Sequence, residues 1–324
     1  MTIRPADQSV IREAAEIIRR GGVGAFPTET VYGLGADVFN ADAVARIFDI
    51  KGRPHFDPLI VHVSDFQFVD KLCGTIPVLA EKLMRKFWPG ALTLVLSKKD
   101  IVPDIVTAGL PTVAIRMPNH PVAIELIRCS GTAIAAPSAN PFEYLSPTTA
   151  LHVQDQLGDR VDFILDAGAC SIGIESTILD LSGDIPTLLR PGGITLEEMD
   201  EIIGPIALHR GDGMEKPKSP GLLSQHYSPR TPIRMLGSLP LNSHEKKGLL
   251  AFKSVPMPGL FEMTEVLSLT GDLREAAINL FSCLHRLDHA GLDRIYVEPV
   301  PEIGLGQAIM DRLRRACSAK TEIH

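Results

Sequence analysis

Residues 51–63 read KGRPHFDPLIVHV, a cationic, proline-containing loop that leads directly into an apolar run. The run carries apolar side chains on both faces and is interrupted only by His62, which predicts a buried strand. The loop before such a strand leads from the core to the surface, where it can bind a ligand. Lys51 and Arg53 indicate an anionic ligand, Lys51 as a point charge and Arg53 through a bidentate fork. The same cations also suit a solvated helix end, where they would complement the helix dipole.

Helical and strand-like patterns alternate over the first two thirds of the chain. Amphipathic spacing predicts helices at residues 9–20 and 41–50, and apolar β-branched runs such as ALTLVL and TVAIRM predict strands between helices. After residue 160 the strand-like runs follow one another directly. We therefore expect an α/β fold with a twisted, mixed sheet rather than a purely parallel one.

Length and composition predict two domains. A chain of 324 residues is long enough for two by the usual length prior. Residues 209–232 are rich in Gly, Pro, Ser and charged residues and lack a hydrophobic period, which is typical of a linker. The predicted organisation is an α/β domain at 1–208, a linker at 209–232 and a smaller α/β domain at 233–324.

The charge balance and the cysteines narrow the class of protein. The chain has 32 Lys and Arg against 39 Asp and Glu, a formal charge of −7, whereas proteins that bind duplex phosphates usually show the opposite sign. Its 5 cysteines form no CxxC pair, which gives no zinc site and fits a reducing compartment. The N-terminus lacks a signal-peptide pattern and no apolar run approaches the roughly 18 residues of a membrane span, so a cytoplasmic protein is expected.

Four further loops place polar residues at the ends of predicted strands. They are PTETVYGLGAD (27–37) with Thr30, TVAIRMPNH with Arg116, AAPSANPFEYLSPTT (135–149) with Ser138, Asn140 and Ser146, and GIESTILDL with LLRPGG, which carry Ser176 and Arg190. A buried Arg116 needs an anionic partner, and a carboxylate of the protein or of a substrate would serve equally. Taken singly, each loop is also consistent with an ordinary turn, and His62 with a satisfied core histidine.

Several common catalytic motifs are missing from the sequence. It contains no GxxxxGK[ST] phosphate loop, no HExxH and no legible Ser-His-Asp set, and GLGQAIMDRL lacks the third glycine of a dinucleotide fingerprint. The residues by themselves therefore predict a cleft with cations and hydroxyl groups for an anionic small ligand.

In their order and spacing, these blocks closely resemble the YrdC-like catalytic domain of threonylcarbamoyl-AMP synthases. The matching blocks are PTETVYGLGAD, KGRP with PLIVHV, WPGALTLVL, TVAIRMP, the Ser138-Ala139-Asn140 loop, ESTILDL and LRPGGI, which together cover roughly residues 8–208. The stretch SPGLLSQHYSPRTP and the unit after it look like the linker and the smaller, Rossmann-like second domain of the long form of that family.

The resemblance implies a nucleotidyltransferase. Members of the family condense L-threonine, bicarbonate or CO2, and ATP into L-threonylcarbamoyl-adenylate and pyrophosphate. A separate transferase complex then moves the threonylcarbamoyl group onto certain tRNAs, so direct tRNA binding by this chain is not expected. Mg2+ would come with ATP, held mainly by phosphates and water, because no clustered carboxylates are evident for a protein-held metal site.

The resemblance also implies roles for individual residues. The family's KxR and SxN motif falls on Lys51, Arg53, Ser138 and Asn140, of which Lys51 and Arg53 would be the catalytic residues that neutralise the phosphates. The ATP-binding residues would be Lys51, Arg53, Asp57, Thr112, Ser138, Asn140, Ser146, Arg190 and His226. The threonine-binding residues would be Thr30, His62, Arg116, Ala136 and Ser176. Many relatives carry Asn at the position of Asp57, so this chain places a carboxylate near the phosphates.

Three points stay open at the level of sequence. The linker, with His226 and Tyr227, could close over the cleft as a lid or serve as a passive tether. A double-stranded RNA-binding module without nucleotidyl transfer is an alternative function, because a YrdC-like fold has a concave surface, although the net charge counts against it. A related carbamoyl-transfer domain of hydrogenase maturation would bring zinc-finger segments, for which the cysteines are not paired.

Overall fold

The structure is a computed structural model that describes residues 3–209, 226–237, 245–254 and 259–318. Residues 210–225, which make up most of the predicted linker, lie outside this set. Two sheets are present in the described residues, one of 11 strands and one of 4 strands.

The large sheet mixes parallel and antiparallel pairs, which confirms the prediction of a mixed sheet. Its strands are β1 Ile3–Pro5, β2 Gly24–Phe26, β3 Gly33–Asp37, β4 Ile60–His62, β5 Leu92–Ser97, β6 Thr112–Arg116, β7 Ile134–Ala135, β8 Phe163–Asp166, β9 Thr177–Asp180, β10 Thr187–Arg190 and β11 Ala207–Leu208. They lie in the order β1-β8-β2-β3-β7-β4-β6-β5-β9-β10-β11. Its helices are α1 Gln8–Arg19, α2 Ala41–Lys51, α3 Phe66–Leu72, α4 Val78–Phe87, α5 Asp104–Thr107, α6 Pro121–Ser130, α7 Ala150–Leu157 and α8 Leu196–Ile203.

The small sheet is parallel in its described pairs and belongs to the C-terminal unit. Its strands are β12 Ile233–Met235, β13 Lys247–Ala251, β14 Met263–Val266 and β15 Arg294–Val297, in the order β12-β15-β13-β14, and its helices are α9 Leu273–Asp288 and α10 Leu305–Cys317. Helix α9 connects β14 to β15 within this parallel sheet, which is the β-α-β connection expected of a Rossmann-like domain. In the described part of the chain, no helix combines the length and the apolar character needed to cross a membrane.

The motif around residue 51 forms because α2 ends there. Asn40 begins the helix by accepting a hydrogen bond from the Ala43 backbone at 3.0 Å, and Gly52 ends it at φ 65°, a left-handed conformation that glycine adopts without strain. Lys51 and Arg53 on either side of Gly52 are only 4% and 6% exposed. The alternative of a solvated helix end is therefore wrong, because both cations are carried into the core.

The two domains share part of one hydrophobic core. Val31, Leu145 and Ile174 of the first domain and Tyr227 of the linker pack into the cluster formed by α9, α10 and the small sheet. Since apolar burial is the main favourable term in folding, the second domain is docked by the same kind of packing that holds each domain together.

Candidate active site

A cavity of about 510 Å³, counting its open mouth, lies where loops from both halves of the large sheet meet the described end of the linker. The predicted site residues that line it are Thr30, Arg53, His62, Arg116, Ala136, Ser138, Ser176, Arg190 and His226. The register of the sheet explains part of this convergence, since β4 and β6 are parallel and place His62 directly beside Arg116. The structure thus brings most of the predicted residues to one place.

Arg116 has a protein carboxylate as its partner. Its Nη2 lies 2.6 Å from Oε1 of Glu29, Nη1 donates to the Thr30 hydroxyl at 2.9 Å, and Nε donates to the Gly90 carbonyl at 3.1 Å. The sequence left open whether this anion would come from the protein or from a substrate. Glu29 was missed, although its position between two threonines in the motif at 27–37 was the available signal.

His62 presents a neutral ring to the same region. Burial and the nearby Arg116 lower the pKa of His62 to about 3, so the imidazole is uncharged at neutral pH. Its Nδ1 is buried and has no hydrogen-bond partner among the described residues. A buried polar atom without a partner is costly, and a ligand group that can share a proton would remove that cost.

Ser176 and Ala136 are the other two residues of the predicted threonine-binding set. The Ser176 hydroxyl shares a hydrogen bond with Thr93 at 2.8 Å and accepts one from Arg190 Nη2 at 3.3 Å. The Ala136 backbone N–H already donates to the Ile60 carbonyl at 2.8 Å. The backbone of Ala136 therefore has its donor in the sheet, and its contribution to a ligand is limited to its carbonyl and its methyl surface.

Lys51 holds the two halves of the predicted KxR and SxN motif together. Its Nζ donates to the Ser138 carbonyl at 2.7 Å and to the Asn140 carbonyl. Burial drives the pKa of Lys51 well below its usual range, with Arg53 acting in the same direction. Lys51 and Asn140 do not line the cavity, and the Asn140 amide donates to Pro141 and Tyr144 carbonyls at 2.9 Å. Both residues shape the loop that presents Ser138.

Arg53 lines the cavity, and part of its guanidinium group is already paired with the carboxylate of Asp57. Arg53 Nη2 lies 2.8 Å from Oδ2 of Asp57 and also donates to the Pro58 carbonyl at 2.9 Å. Both side chains are at most 3% exposed. Asp57 itself does not line the cavity, and it gives Arg53 a buried counter-ion.

Thr112 and Ser146 lie outside the cavity lining. Thr112 begins β6, at the end of the strand opposite Arg116, and is paired with Ser97 of β5. The Ser146 hydroxyl is buried and donates to Oε1 of Glu175. Sequence reasoning missed Glu175, which lines the cavity and separates Ser146 from it.

The described end of the linker lies in the site. His226 and Tyr227 are 6% and 1% exposed, their rings are 4.0 Å apart, and both line the cavity. Burial, with Arg53, Lys51 and Arg190 nearby, holds the pKa of His226 well below its usual range, so this ring is also neutral. A passive tether would leave these rings in solvent, and the structure instead places them against the catalytic domain.

The carboxylates around the cavity are paired with arginines. Glu29 is paired with Arg116, Asp57 with Arg53, and Glu175 with Arg312 of the second domain at 3.0 Å. Across the described ranges no three His, Cys, Asp or Glu side chains gather in a way that could hold a metal ion. The residues present do not fit a resident Mg2+ site, and a cation at this cavity would need ligands from a substrate and water.

Comparison with known proteins matches nearly the whole chain. Residues 16–192 match the Sua5_yciO_yrdC family model, described as Telomere recombination, and residues 194–318 match a model described as Threonylcarbamoyl-AMP synthase, C-terminal domain. A threonylcarbamoyl-AMP synthase of Pyrococcus abyssi is 45% identical over 94% of this chain and 93% of that protein. One of Bacillus subtilis is 44% identical over 96% of this chain and 93% of that protein.

Solved structures give the same result for the fold. The crystal structure of P. abyssi Sua5 complexed with L-threonine superposes with a TM-score of 0.89 at 41% identity, covering 96% of this chain and 95% of that one. Both domains are therefore matched together and in the same order. The chain belongs to the threonylcarbamoyl-AMP synthase family.

Proposed function

We propose that this chain is an L-threonylcarbamoyladenylate synthase, which condenses L-threonine, bicarbonate or CO2, and ATP with release of pyrophosphate. The observation that carries the proposal is the convergence of two groups of residues on one cavity. Arg116, Thr30 and His62 form one group, and Arg53 and Arg190 belong to the other. The activity of the relatives, as their names give it, supports the same reaction.

In this proposal the first group binds threonine. Arg116 would hold the carboxylate of threonine. Nδ1 of the neutral His62 ring and the Thr30 hydroxyl line the same cavity and can form hydrogen bonds with the side-chain hydroxyl of threonine. A substrate without that hydroxyl would leave buried polar groups of the site unpaired. Such a loss separates two substrates more strongly than the presence or absence of one methyl group does. The site is therefore suited to prefer threonine to valine.

The second group would bind the triphosphate. Adenylation requires an oxygen of the threonine carbamate to attack the α-phosphorus while the bond to the β-phosphate breaks, and the charge leaves with pyrophosphate. Such a step depends on positioning and on charge stabilisation rather than on a protein nucleophile. Arg53 and Arg190 supply guanidinium groups, and Lys51 fixes the loop that carries Ser138.

Cofactor, partner and location belong to the same proposal. Mg2+ would enter on the ATP phosphates, since the neighbouring carboxylates are already paired. The product would pass to a separate tRNA threonylcarbamoyl transferase, in keeping with the net charge of −7, which does not favour tRNA binding. We assign this sequence of reactions to the cytoplasm.

The proposal is tested by measuring pyrophosphate release while each substrate is omitted in turn. Release should require threonine, bicarbonate and ATP together, and serine or valine should replace threonine poorly. Pyrophosphate release that is equal with and without threonine would contradict the proposal. The Arg314→Met variant serves as a control in the same assay. Because Arg314 is an exposed residue paired with Glu302, the variant should require the same substrates as the wild type.

A further inference from the structure

Thr93 of β5 carries a buried hydroxyl group directly behind the wall of the cavity. Thr93 is 0% exposed and does not line the cavity. Its Oγ1 lies 2.8 Å from Oγ of Ser176, which does line the cavity. The parallel register of β5 and β9 pairs Thr93 with Ile178 and so keeps it beside Ser176, the residue just before β9. Thr93 can therefore act on a ligand through Ser176 without contacting the ligand itself.

The surroundings of Thr93 decide which of the two hydroxyl groups donates the hydrogen bond. In the part of the chain that the structure describes, Ser176 Oγ is the one hydrogen-bond partner of the Thr93 hydroxyl. If Ser176 were the donor, the Thr93 proton would be buried without an acceptor, and an unpaired buried donor costs free energy. Thr93 is therefore the donor, and Ser176 is the acceptor.

Ser176 then accepts hydrogen bonds from two donors. Besides Thr93, Nη2 of Arg190 donates to the Ser176 hydroxyl at 3.3 Å. A serine hydroxyl has two acceptor lone pairs and one proton, so these bonds use both lone pairs and leave the proton. Because Ser176 lines the cavity and no described residue accepts that proton, the O–H is available to a ligand. The ligand group that it meets must be an acceptor oxygen rather than an ammonium.

Folding does not require a hydroxyl group at position 93. Its neighbours in β5, Leu92 and Leu94, are also 0% exposed, and valine has the same branched shape as threonine and suits a buried strand. Valine would remove the donor, however, and leave one lone pair of Ser176 without a partner. The Ser176 hydroxyl could then rotate among its staggered positions, and its proton would no longer be fixed on the cavity.

We infer that Thr93 is a positioning residue, which donates to Ser176 and so directs the Ser176 proton towards an oxygen of the bound amino acid. The inference rests on the proposed function for the identity of that ligand as threonine. Arg190 also donates to the Ser176 carbonyl, from Nε at 3.2 Å and from Nη2 at 2.9 Å, and these contacts do not involve the Thr93 hydroxyl. Loss of that hydroxyl should therefore affect the threonine requirement more than the ATP requirement.

The test compares Thr93→Val with Thr93→Ser, which keeps the donor. Thr93→Val should raise the KM for threonine about fivefold and the KM for ATP less than about twofold, and Thr93→Ser should return the threonine KM close to the wild-type value. Thr107→Val is the control, because Thr107 is 1% exposed, lies outside the cavity lining and contacts only the Asp104 carbonyl at 3.5 Å among the described residues. An equal rise in both KM values for Thr93→Val, or a threonine KM equal to that of the control, would overturn the inference.

A double variant tests whether Thr93 acts through Ser176. Ser176→Ala removes the hydroxyl that Thr93 orients and keeps the backbone carbonyl. Adding Thr93→Val to Ser176→Ala should change the threonine KM by less than about twofold, because no Ser176 proton remains to be directed. A further rise of about fivefold would show that Thr93 acts by another route and would overturn the inference. Thr93→Ala lacks the same donor and replaces Thr93→Val in both comparisons if the valine variant does not fold.

Calorimetric titration of L-threonine with the full chain keeps this inference apart from the proposed function. The dissociation constant for threonine should be higher in Thr93→Val than in the wild type and largely restored in Thr93→Ser. Failure of the wild type to release pyrophosphate, with this order preserved, would remove the proposed reaction alone. Equal dissociation constants in the wild type and Thr93→Val, with normal wild-type turnover, would remove the role of Thr93 alone.

Discussion

The Glu29 carboxylate and the Arg116 guanidinium form an ion pair of 2.6 Å at the wall of the cavity, and their side chains are 5% and 3% exposed. Arg116 is therefore neutralised before any substrate enters. A second, isolated anion would leave this region with a net negative charge, whereas the zwitterion of an amino acid adds none. The pair favours a neutral ligand with separated charges over a simple carboxylate.

Replacing Glu29 by Gln tests this relationship. The variant leaves Arg116 without its counter-ion, so a desamino analogue, 3-hydroxybutyrate, should compete with threonine about tenfold better than it does in the wild type. Inhibition constants for the analogue, measured beside the KM for threonine, give the comparison. Glu16→Gln is the control, because Glu16 forms an exposed pair with Arg19. An unchanged ratio in Glu29→Gln would contradict the role given to the pair.

Arg53 and Asp57 predict a separation of stability from activity. Arg53→Met removes one partner of a buried pair and should lower the free energy of unfolding by about 3–5 kcal/mol, besides abolishing most turnover. Asp57→Asn added to Arg53→Met should recover most of that stability, because no uncompensated charge remains. Turnover should stay low, since no cation remains at this position for the phosphates.

Urea unfolding and pyrophosphate release measure the two effects. A double variant that recovers both stability and turnover would show that Arg53 acts only through folding, against its proposed contact with the triphosphate.

A pair of histidines makes the domain interface sensitive to acid. His152 of α7 and His285 of α9 stack with ring centres 4.0 Å apart. Burial lowers the pKa of His152 to about 4 and that of His285 to about 3. His289, Asp155 and Arg286 are the other titratable or charged groups that face this pair.

Both rings are neutral in the folded protein and charge more readily in the unfolded chain, whose histidines titrate near about 6.5. Their contribution to stability is therefore complete above that pH and declines as the pH falls towards about 4. Urea unfolding from pH 7.5 to about 4.5 should show this decline, and His152→Phe should make it shallower because one titrating ring is gone. The control is His55→Phe, at an exposed position outside the interface. Parallel pH profiles for wild type and His152→Phe would contradict the assignment.

Gly173 of the first domain lies in close contact with the backbone of α9 in the second domain. It has φ +79°, and a Cβ there would lie 2.5 Å from the Ile278 Cα and 2.6 Å from the Ala277 carbonyl of α9. Gly173→Ala should therefore force α9 outwards and speed amide hydrogen exchange along that helix. Gly131→Ala is the control, because Gly131 has φ +68° but nothing within 4 Å, so its cost is only the left-handed strain of about 1–2 kcal/mol. Equal exchange of α9 in both variants would show that the approach is not tight.

Much of the fold was predictable because it depends on local patterns. The run of strands after residue 160 predicted the mixed sheet, and polar residues at strand ends, such as Thr30 and Arg116, predicted the residues that meet at the cavity. Register then determines which of them are neighbours. Thr112 shows the limit of such reasoning, since it lies on the same strand as Arg116 but at its opposite end.

The partners of the charges could not be predicted from sequence. Glu175 and Arg312 are 137 residues apart, and nothing in the local pattern of either residue indicates the other. Arg53 and Asp57 are close in sequence, but their closeness in sequence alone does not show that the two side chains form an ion pair. Buried ion pairs depend on the packing of whole domains, and this information enters only with the tertiary structure.

Mass analysis of the product formed with carbon-13 bicarbonate tests the central claim most directly. With ATP, Mg2+ and L-threonine, the chain should release a labelled threonylcarbamoyl-adenylate together with pyrophosphate, and the label should disappear when threonine is omitted. An adenylate of threonine that carries no labelled carbon, or the absence of any adenylate in the presence of all substrates, would contradict the account.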